Sequence, residues 1–165
     1  MTRWIENVSW DAVKNGWHTD MGDNSMLIQI ADPATFFPSP KKHFKEIHQF
    51  EFLDAEDGDR FPDDCMIQDD QAQALVDLLQ HALDNSMNVL VHCHAGICRS
   101  GAVVEVGTIM GFTATERLRI PNIRVKHRMM KALGLTYDAS EKSEAVNGKM
   151  SSGGIIIPVN DAEWE

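Results

Sequence analysis

Apolar and polar residues follow two different periods along this chain, which predicts strands alternating with helices. Residues 25–30 and residues 88–91 are short apolar runs typical of buried strands, and residues 47–53 alternate as a half-buried strand does. Between the last two strands, apolar residues recur at helical spacing on one face: Ala72, Leu75, Val76, Leu79 and Leu83. We therefore predict a helix that Asp69 or Asp70 caps and that continues to about Asn85.

The second half of the chain contains residues that typically start and end helices. A buried helix is predicted from Arg99 to Gly111, a short one over residues 113–118, and another from Asn122 to Leu133, with Gly134 behind it. The first twenty residues contain three tryptophans and predict an opening strand or turn at the core edge. Phe36 and Phe37 lie in a proline-rich loop and are either core anchors or a wall facing a substrate.

These elements predict an α/β fold, a mostly parallel central sheet flanked by helices on both faces, in a single domain. In such a fold the site lies beyond the carboxyl ends of the strands. We place the domain at residues 1–136. Residues 137–165 turn polar and small and predict a flexible linker, after which the apolar run 155–159 is expected to dock as an edge strand.

Composition narrows the class of protein. The chain has 165 residues, no apolar segment long enough to span a membrane, and a start without the pattern of a signal peptide, so we expect a cytoplasmic protein. Its three cysteines are too few for a disulfide framework and fit a reducing compartment. The formal net charge of −10 argues against a general role on nucleic acids or membranes.

The candidate chemistry lies in one stretch of ten residues, HCHAGICRSG, at positions 92–101. An apolar run on each side predicts a strand, a tight loop and a helix, so that loop and helix N–H groups converge on one anion cradle. Cys93 at the strand end faces this cradle, where its thiolate is favoured. Arg99 adds a planar fork that can take two oxygens of a tetrahedral oxyanion, which phosphate fits best.

Three further residues of this stretch support the same chemistry. Ser100 can donate its hydroxyl to the Cys93 sulfur and stabilise it as a leaving group, while Gly96 and Gly101 allow a tight turn and close approach to a ligand. A metal site is the alternative interpretation of this stretch, because His92, Cys93, His94 and Cys98 are possible ligands. Neighbouring residues at a strand end point to opposite sides and no second Cys/His pair follows, so we predict no metal.

The pattern His92-Cys93, five residues, Arg99-Ser100-Gly101 resembles the signature loop of the cysteine-based protein tyrosine phosphatases, most of all the dual-specificity branch. The resemblance covers roughly residues 25–133. It implies that Cys93 is the nucleophile of a phosphocysteine mechanism without cofactors, and that His92 orients the loop and favours the thiolate. The phosphate loop it implies consists of His94, Ala95, Gly96, Ile97, Cys98 and Arg99.

The reaction also needs a proton donor for the leaving oxygen. In the resembled family an Asp supplies this proton from a loop that follows the preceding strand, which here is the acidic loop 54–64. Asp54 at the strand end is our first candidate, Asp57 the second, and Asp59 the third. The substrate that the resemblance implies is a protein or peptide phosphorylated on tyrosine, and on serine or threonine if the enzyme has dual specificity.

Several alternatives remain open at this stage. A phosphoinositide phosphatase or an RNA 5′-phosphatase would share the loop, although the loop has no Lys and the chain is acidic. A low-molecular-weight tyrosine phosphatase would carry its nucleophile near the N-terminus, and a phospho-binding module would need no catalysis. The basic residues between 117 and 131 either balance the acidic loop or bind an acidic phosphopeptide. Cys98 is either an apolar filler or a disulfide partner of oxidised Cys93.

Overall fold

A five-stranded sheet forms the centre of the molecule, a computed structural model in which residues 2–137 and 156–157 are described. Its strands are β1 (Trp4–Val8), β2 (Ser25–Ala31), β3 (Glu46–Glu51), β4 (Asn88–His92) and β5 (Thr113–Ala114). Their order is β3-β2-β4-β1-β5, and every neighbouring pair is parallel. The predicted α/β class with a parallel sheet is therefore confirmed.

Four helices cover the two faces: α1 (Trp10–Asn15), α2 (Asp69–Asp84), α3 (Arg99–Met110) and α4 (Ile123–Ala132). Successive strand residues point to opposite faces. Leu27 and Leu90 accordingly pack with α1 in one apolar cluster, whereas Met26 and Val89 belong to the larger cluster that contains α2, α3 and α4. The alternation thus places helices on both faces, as predicted.

Several local expectations differ from the structure. Residues 113–118 do not form a helix: Thr113 donates to the Arg3 carbonyl at 2.8 Å and Thr115 to the Ile5 carbonyl at 3.1 Å, because the free edge of β1 needs backbone partners. The cap of α2 is Gln68, one residue before the aspartates. Phe36 is not a core anchor, since it is 88% exposed.

The first twenty residues contain both a strand and a helix. Ser9 caps α1 by accepting a hydrogen bond from the Ala12 N–H, and Gly16 ends the helix with a φ of 75°. Trp17 lies beyond this end and is 65% exposed, so it does not pack at the core edge.

The end of the described chain forms a separate two-stranded sheet. Strand β6 (Thr136–Tyr137) pairs antiparallel with β7 (Ile156–Ile157). Most of the predicted linker and tail, residues 138–155 and 158–165, lies outside the described residues, and the domain boundary at 136 stays a prediction. Among the described residues no helix is both long and apolar enough to cross a membrane.

The carboxyl ends of the parallel strands bring distant residues to one edge of the sheet. Asp32 directly follows β2, Asp54 follows β3 after two residues, and Cys93 directly follows β4. Residues at this edge are close in space although they are far apart in sequence. The candidate chemistry therefore lies where the fold class predicts a site.

Candidate active site

Cys93 lies at the end of β4 with two hydrogen-bonding partners on its sulfur. The residue is 2% exposed, its Sγ is 3.2 Å from the Ser100 Oγ, and the Gly96 N–H donates to the sulfur at 3.3 Å. Donors that point at a sulfur stabilise its thiolate. The structure thus brings together the predicted nucleophile and the predicted hydroxyl donor.

The phosphate loop turns its carbonyl groups outward, against the surrounding elements. The His94 oxygen accepts from the Trp10 N–H at 3.1 Å and the Ile97 oxygen from the Ile120 N–H at 3.2 Å. The Gly96 oxygen accepts from the side chain of Asn7 at 2.8 Å. The Cys98 oxygen accepts from the N–H groups of Asn122 and Ala102, both at 2.9 Å.

Outward carbonyls determine where the loop amides point. In a trans peptide the C=O of one residue and the N–H of the next point in opposite directions. The N–H groups of Ala95, Ile97, Cys98 and Arg99 consequently point to the inside of the loop, toward the side on which Cys93 lies. Converging N–H donors at the start of α3 are the arrangement that binds an oxyanion.

Gly96 is required by a close approach of two backbones. Its φ is 79°, and a Cβ at this position would lie 2.3 Å from the Val8 carbonyl carbon. Only glycine fits this contact. The loop therefore rests directly on the end of β1, which explains why Asn7 can reach the Gly96 carbonyl.

Arg99 is buried and is held from one side only. It is 4% exposed, and its Nη1 donates to the Asp32 Oδ1 at 2.8 Å and to the Phe52 carbonyl at 2.8 Å. Its Nε is buried and makes no hydrogen bond within the described part of the chain. The ion pair thus fixes the plane of the guanidinium and leaves the Nε edge as a donor for an anion.

The three candidate acids have different surroundings. Asp54 is exposed, and its Oδ1 accepts from the Asn122 side chain at 2.8 Å. Asp57 instead accepts from Arg124 at 2.7 Å, and the Asp59 carboxylate closes a local turn on the Glu56 N–H at 2.7 Å. Only Asp54 is linked to the phosphate loop, since the backbone N–H of Asn122 also donates to the Cys98 carbonyl.

Cys98 is a thiol next to this acid. Burial, the charge of Asp54 and that of Cys93 raise the pKa of its thiol to about 11. The thiolate is the form that attacks an oxidised sulfur, so this raised pKa slows disulfide formation with Cys93. The disulfide between Cys93 and Cys98 stays a prediction. The contact with Asp54 makes it less favourable, and nothing in the sequence indicated this contact.

His92 is fully buried, and burial lowers its pKa to about 4. Its ring is therefore neutral at neutral pH, and Nδ1 is 3.2 Å from the Cys93 carbonyl oxygen, to which it can donate. This contact joins the ring to the backbone of the loop. The roles of His92 in orienting the loop and in favouring the thiolate stay predictions.

The buried His92 predicts a loss of stability in mild acid. In the unfolded chain the His92 side chain binds a proton near pH 6.5, whereas in the folded chain it binds one only near pH 4. The free energy of unfolding therefore falls as the pH drops through this window. The loss from this residue is about 3 kcal/mol by pH 4. Urea unfolding at several pH values measures it, and His92→Asn should flatten the dependence while His43→Asn, at an exposed histidine, should not.

Sequence reasoning missed three residues that hold this site. Asp32 orients Arg99, Asn7 holds the Gly96 carbonyl, and Asn122 links α4 to Asp54. Asn122 is 2% exposed, and its Oδ1 also accepts from the Val125 N–H as the cap of α4. The available signals were an aspartate after a buried strand and an asparagine at a predicted helix start.

The basic residues between 117 and 131 carry acidic partners. Arg117 pairs with Glu6, Arg124 with Asp57 and Asp63, and both Arg128 and Lys131 with Asp69. Arg119 and Lys126 both lie within 4.0 Å of Glu105. These pairs favour the interpretation that the stretch balances acidic residues, over a docking surface for an acidic phosphopeptide.

A known family model matches part of this chain. The model is described as a DSP-PTPase phosphatase of polymorphic toxin systems and matches residues 62–110, which contain α2, β4, the loop and α3. No curated protein matches the sequence.

Solved structures with a similar fold include the human tyrosine phosphatase-like serine/threonine/tyrosine-interacting protein, at 17% identity and a TM-score of 0.51, over 76% of this chain and 87% of that one. The tyrosine phosphatase OH1 of Orf virus is 22% identical at a TM-score of 0.44, over 66% of this chain and 56% of that one. Tk-PTP in its active form is 11% identical at a TM-score of 0.40, over 89% and 90%. The first of these likenesses supports the fold.

Proposed function

We propose that this chain is a cysteine-based protein tyrosine phosphatase with a dual-specificity-like domain, and that it hydrolyses phosphomonoesters on tyrosine, and on serine or threonine, of proteins. The family supports phosphatase activity in general. The observation that carries the finer proposal is the loop itself. Its amides converge beside a buried cysteine sulfur, and a fixed guanidinium edge is part of the same enclosure.

In the first step the Cys93 thiolate attacks phosphorus in line, and the bond to the leaving oxygen breaks as Asp54 transfers its proton to that oxygen. Arg99 and the inward N–H groups bind the other three oxygens, whose charge is spread in the transition state. The products of this step are the free hydroxyl and a phosphocysteine.

In the second step Asp54, now a carboxylate, deprotonates a water molecule that attacks the phosphocysteine. The P–S bond breaks, phosphate leaves, and the Cys93 thiolate is regenerated with the Ser100 hydroxyl donating to its sulfur at the 3.2 Å contact. The cycle needs no metal or cofactor, so activity should persist in excess chelator.

A release panel tests the proposed substrate class. We expect phosphate release from an aryl phosphate and from phosphotyrosine peptides, with lower rates on phosphoinositides and on 5′-triphosphate RNA, since the acidic chain repels polyanions. If a phosphoinositide or the RNA were hydrolysed faster than the phosphotyrosine peptides, that class of compound would be the proposed substrate instead. Binding of phosphopeptides without release from any compound would make the chain a phospho-binding module.

Asn122 gives a test of how Asp54 is positioned. Asn122→Ser keeps an oxygen that can cap α4 and removes the amide that donates to Asp54 at 2.8 Å. We expect kcat for an alkyl phosphate to fall about tenfold, because a mobile acid is misplaced, while an activated aryl phosphate loses much less. Equal losses on both compounds, or a matching loss in thermal stability, would mean that Asn122 only holds the fold.

A further inference from the structure

In the segment between β5 and α4, arginines that pair with acidic residues of other elements alternate with exposed apolar side chains. Arg117 donates to the buried Glu6 at 3.0 Å, and Arg119 donates to Glu105 at 2.9 Å. Leu118 and Ile120, which alternate with these arginines, are 67% and 49% exposed. We call Leu118 and Ile120 the outer strip.

Packing explains the arginines but not the outer strip. A buried carboxylate such as Glu6 needs a cationic partner, so Arg117 has a structural reason to face inward. No comparable reason applies to its neighbours, because any polar residue would serve at an exposed position. Exposed apolar side chains that are grouped on a surface are a feature of interaction sites.

The outer strip lies directly beside the phosphate loop. The Ile120 N–H donates to the Ile97 carbonyl at 3.2 Å. The Asn7 side chain bridges the carbonyl oxygens of Leu118 and Gly96, at 3.0 and 2.8 Å. A group attached to a phosphate in this loop therefore passes next to the strip.

A third exposed apolar residue, Phe36, continues this apolar border. The Trp10 backbone donates to the His94 carbonyl, and its indole N–H donates to the Phe36 carbonyl at 3.4 Å. Phe36 is 88% exposed. Apolar residues thus follow the loop from His94 to Ile97, while the candidate acid Asp54 is attached at the Cys98 end.

Charge around the loop selects among possible occupants. The acidic loop 54–64 contains six acidic residues and one basic residue. The basic residues of 117–131 are paired with acidic partners, as described above. An acidic peptide, a phosphoinositide or a polyphosphate would be repelled by the acidic loop, and the arginines beside the strip are already paired with Glu6 and Glu105.

We propose that the outer strip binds apolar side chains that flank the phosphorylated residue of a polypeptide substrate. This deepens the proposed function and rests on it. Specificity then comes from burial of aliphatic side chains on Leu118 and Ile120, and not from charge. Phosphopeptides with acidic flanks should be the poorest substrates.

The test compares three phosphotyrosine peptides of equal length, whose flanks are Leu/Val, Ser/Gly or Asp/Glu, on the full chain. We expect wild-type kcat/KM to be about tenfold higher for the apolar peptide than for the Ser/Gly peptide, from partial burial of two aliphatic side chains. The double variant L118S/I120S should lose this preference. Its activity on an aryl phosphate, which lacks flanks, should stay within about twofold of wild type.

Ile47→Ser is the matched control, since Ile47 is 45% exposed on the edge strand β3, at its second residue and far from the carboxyl ends. It should keep the full preference. Equal wild-type kcat/KM values on the apolar and Ser/Gly peptides would overturn the inference. An equal loss of activity in L118S/I120S on all three peptides and on the aryl phosphate would overturn it as well.

Two other occupants are separable in the same experiment. A wild-type dimer that L118S/I120S converts to monomer in light scattering would assign the strip to a second copy and overturn the inference. The full chain with Ile155, Ile156 and Ile157 all replaced by Ser is the test for the chain's own tail. Higher activity of this variant on all three peptides would assign the strip to the tail and would also overturn the inference. Failure of wild type to hydrolyse even the aryl phosphate would instead refute the proposed function.

Discussion

Cys93→Ser is expected to lower kcat for an aryl phosphate by on the order of 10³-fold or more. A hydroxyl has nearly the volume of the thiol but is a far poorer nucleophile at neutral pH. Apart from the Gly96 N–H, which donates to the sulfur, the loop amides and Arg99 do not depend on it, so the variant should still bind an oxyanion such as vanadate competitively with substrate. Steady-state phosphate release measures kcat, and an equilibrium titration measures vanadate binding.

Cys65→Ser is the control for this substitution. Cys65 is a free, half-buried cysteine that follows the acidic loop, and it has no role in the proposed reaction. Its variant should retain wild-type kcat. A Cys93→Ser protein with a rate near wild type would show that the nucleophile is assigned to the wrong residue.

Asp54→Ala is expected to slow hydrolysis of an alkyl phosphate by about 10²–10⁴-fold, the usual value of general acid catalysis. An aryl phosphate with an acidic phenol should be affected much less in the first step, because its leaving oxygen needs no proton. The ratio of the two losses, measured as kcat/KM, therefore reports proton donation and not folding.

Asp57→Ala and Asp59→Ala are the matched controls in the same loop. Asp57 pairs with Arg124 and Asp59 closes a turn, so both variants should lower stability slightly and leave the ratio unchanged. If Asp57→Ala instead showed the selective loss on the alkyl phosphate, and Asp54→Ala stayed near wild type, the general acid would be Asp57.

Local patterns were sufficient for most of the fold. Apolar runs and helical spacing gave β2, β3, β4, α2, α3 and α4, and the parallel sheet followed from their alternation. The short segment 113–118 failed because two residues of strand cannot be recognised from their own sequence. Thr113 becomes a strand residue only because β1 has an unpaired edge at that place.

The site could be predicted only where its residues are adjacent in sequence. Cys93, Arg99 and Ser100 lie in one motif, so their meeting follows from a single loop. Asp32 and Asn122 approach that loop through the order of the strands and the docking of α4, which depend on long-range packing. The single sequence offers only local signals for these two residues, an aspartate after a buried strand and an asparagine at a predicted helix start.

The orientation of charged residues was also beyond the sequence. The sequence left open whether the arginines near Leu118 balance acidic residues or bind an acidic phosphopeptide, whereas the structure pairs Arg117 with the buried Glu6 and Arg119 with the half-buried Glu105. Composition gives the number of charges in a segment but not the side on which they lie. The exposed apolar strip follows from that orientation alone.

The central claim is that phosphate passes through a covalent bond to Cys93. Asp54→Ala should make this intermediate accumulate with an activated aryl phosphate. Transfer of phosphate from this substrate to Cys93 needs no acid, whereas hydrolysis of the phosphocysteine lacks its base in the variant. Rapid quenching followed by mass spectrometry of the peptide that contains Cys93 measures it directly. The account predicts one phosphoryl group per chain on the Cys93 sulfur, and release of phosphate with no phosphoryl group on this residue at any time would contradict it.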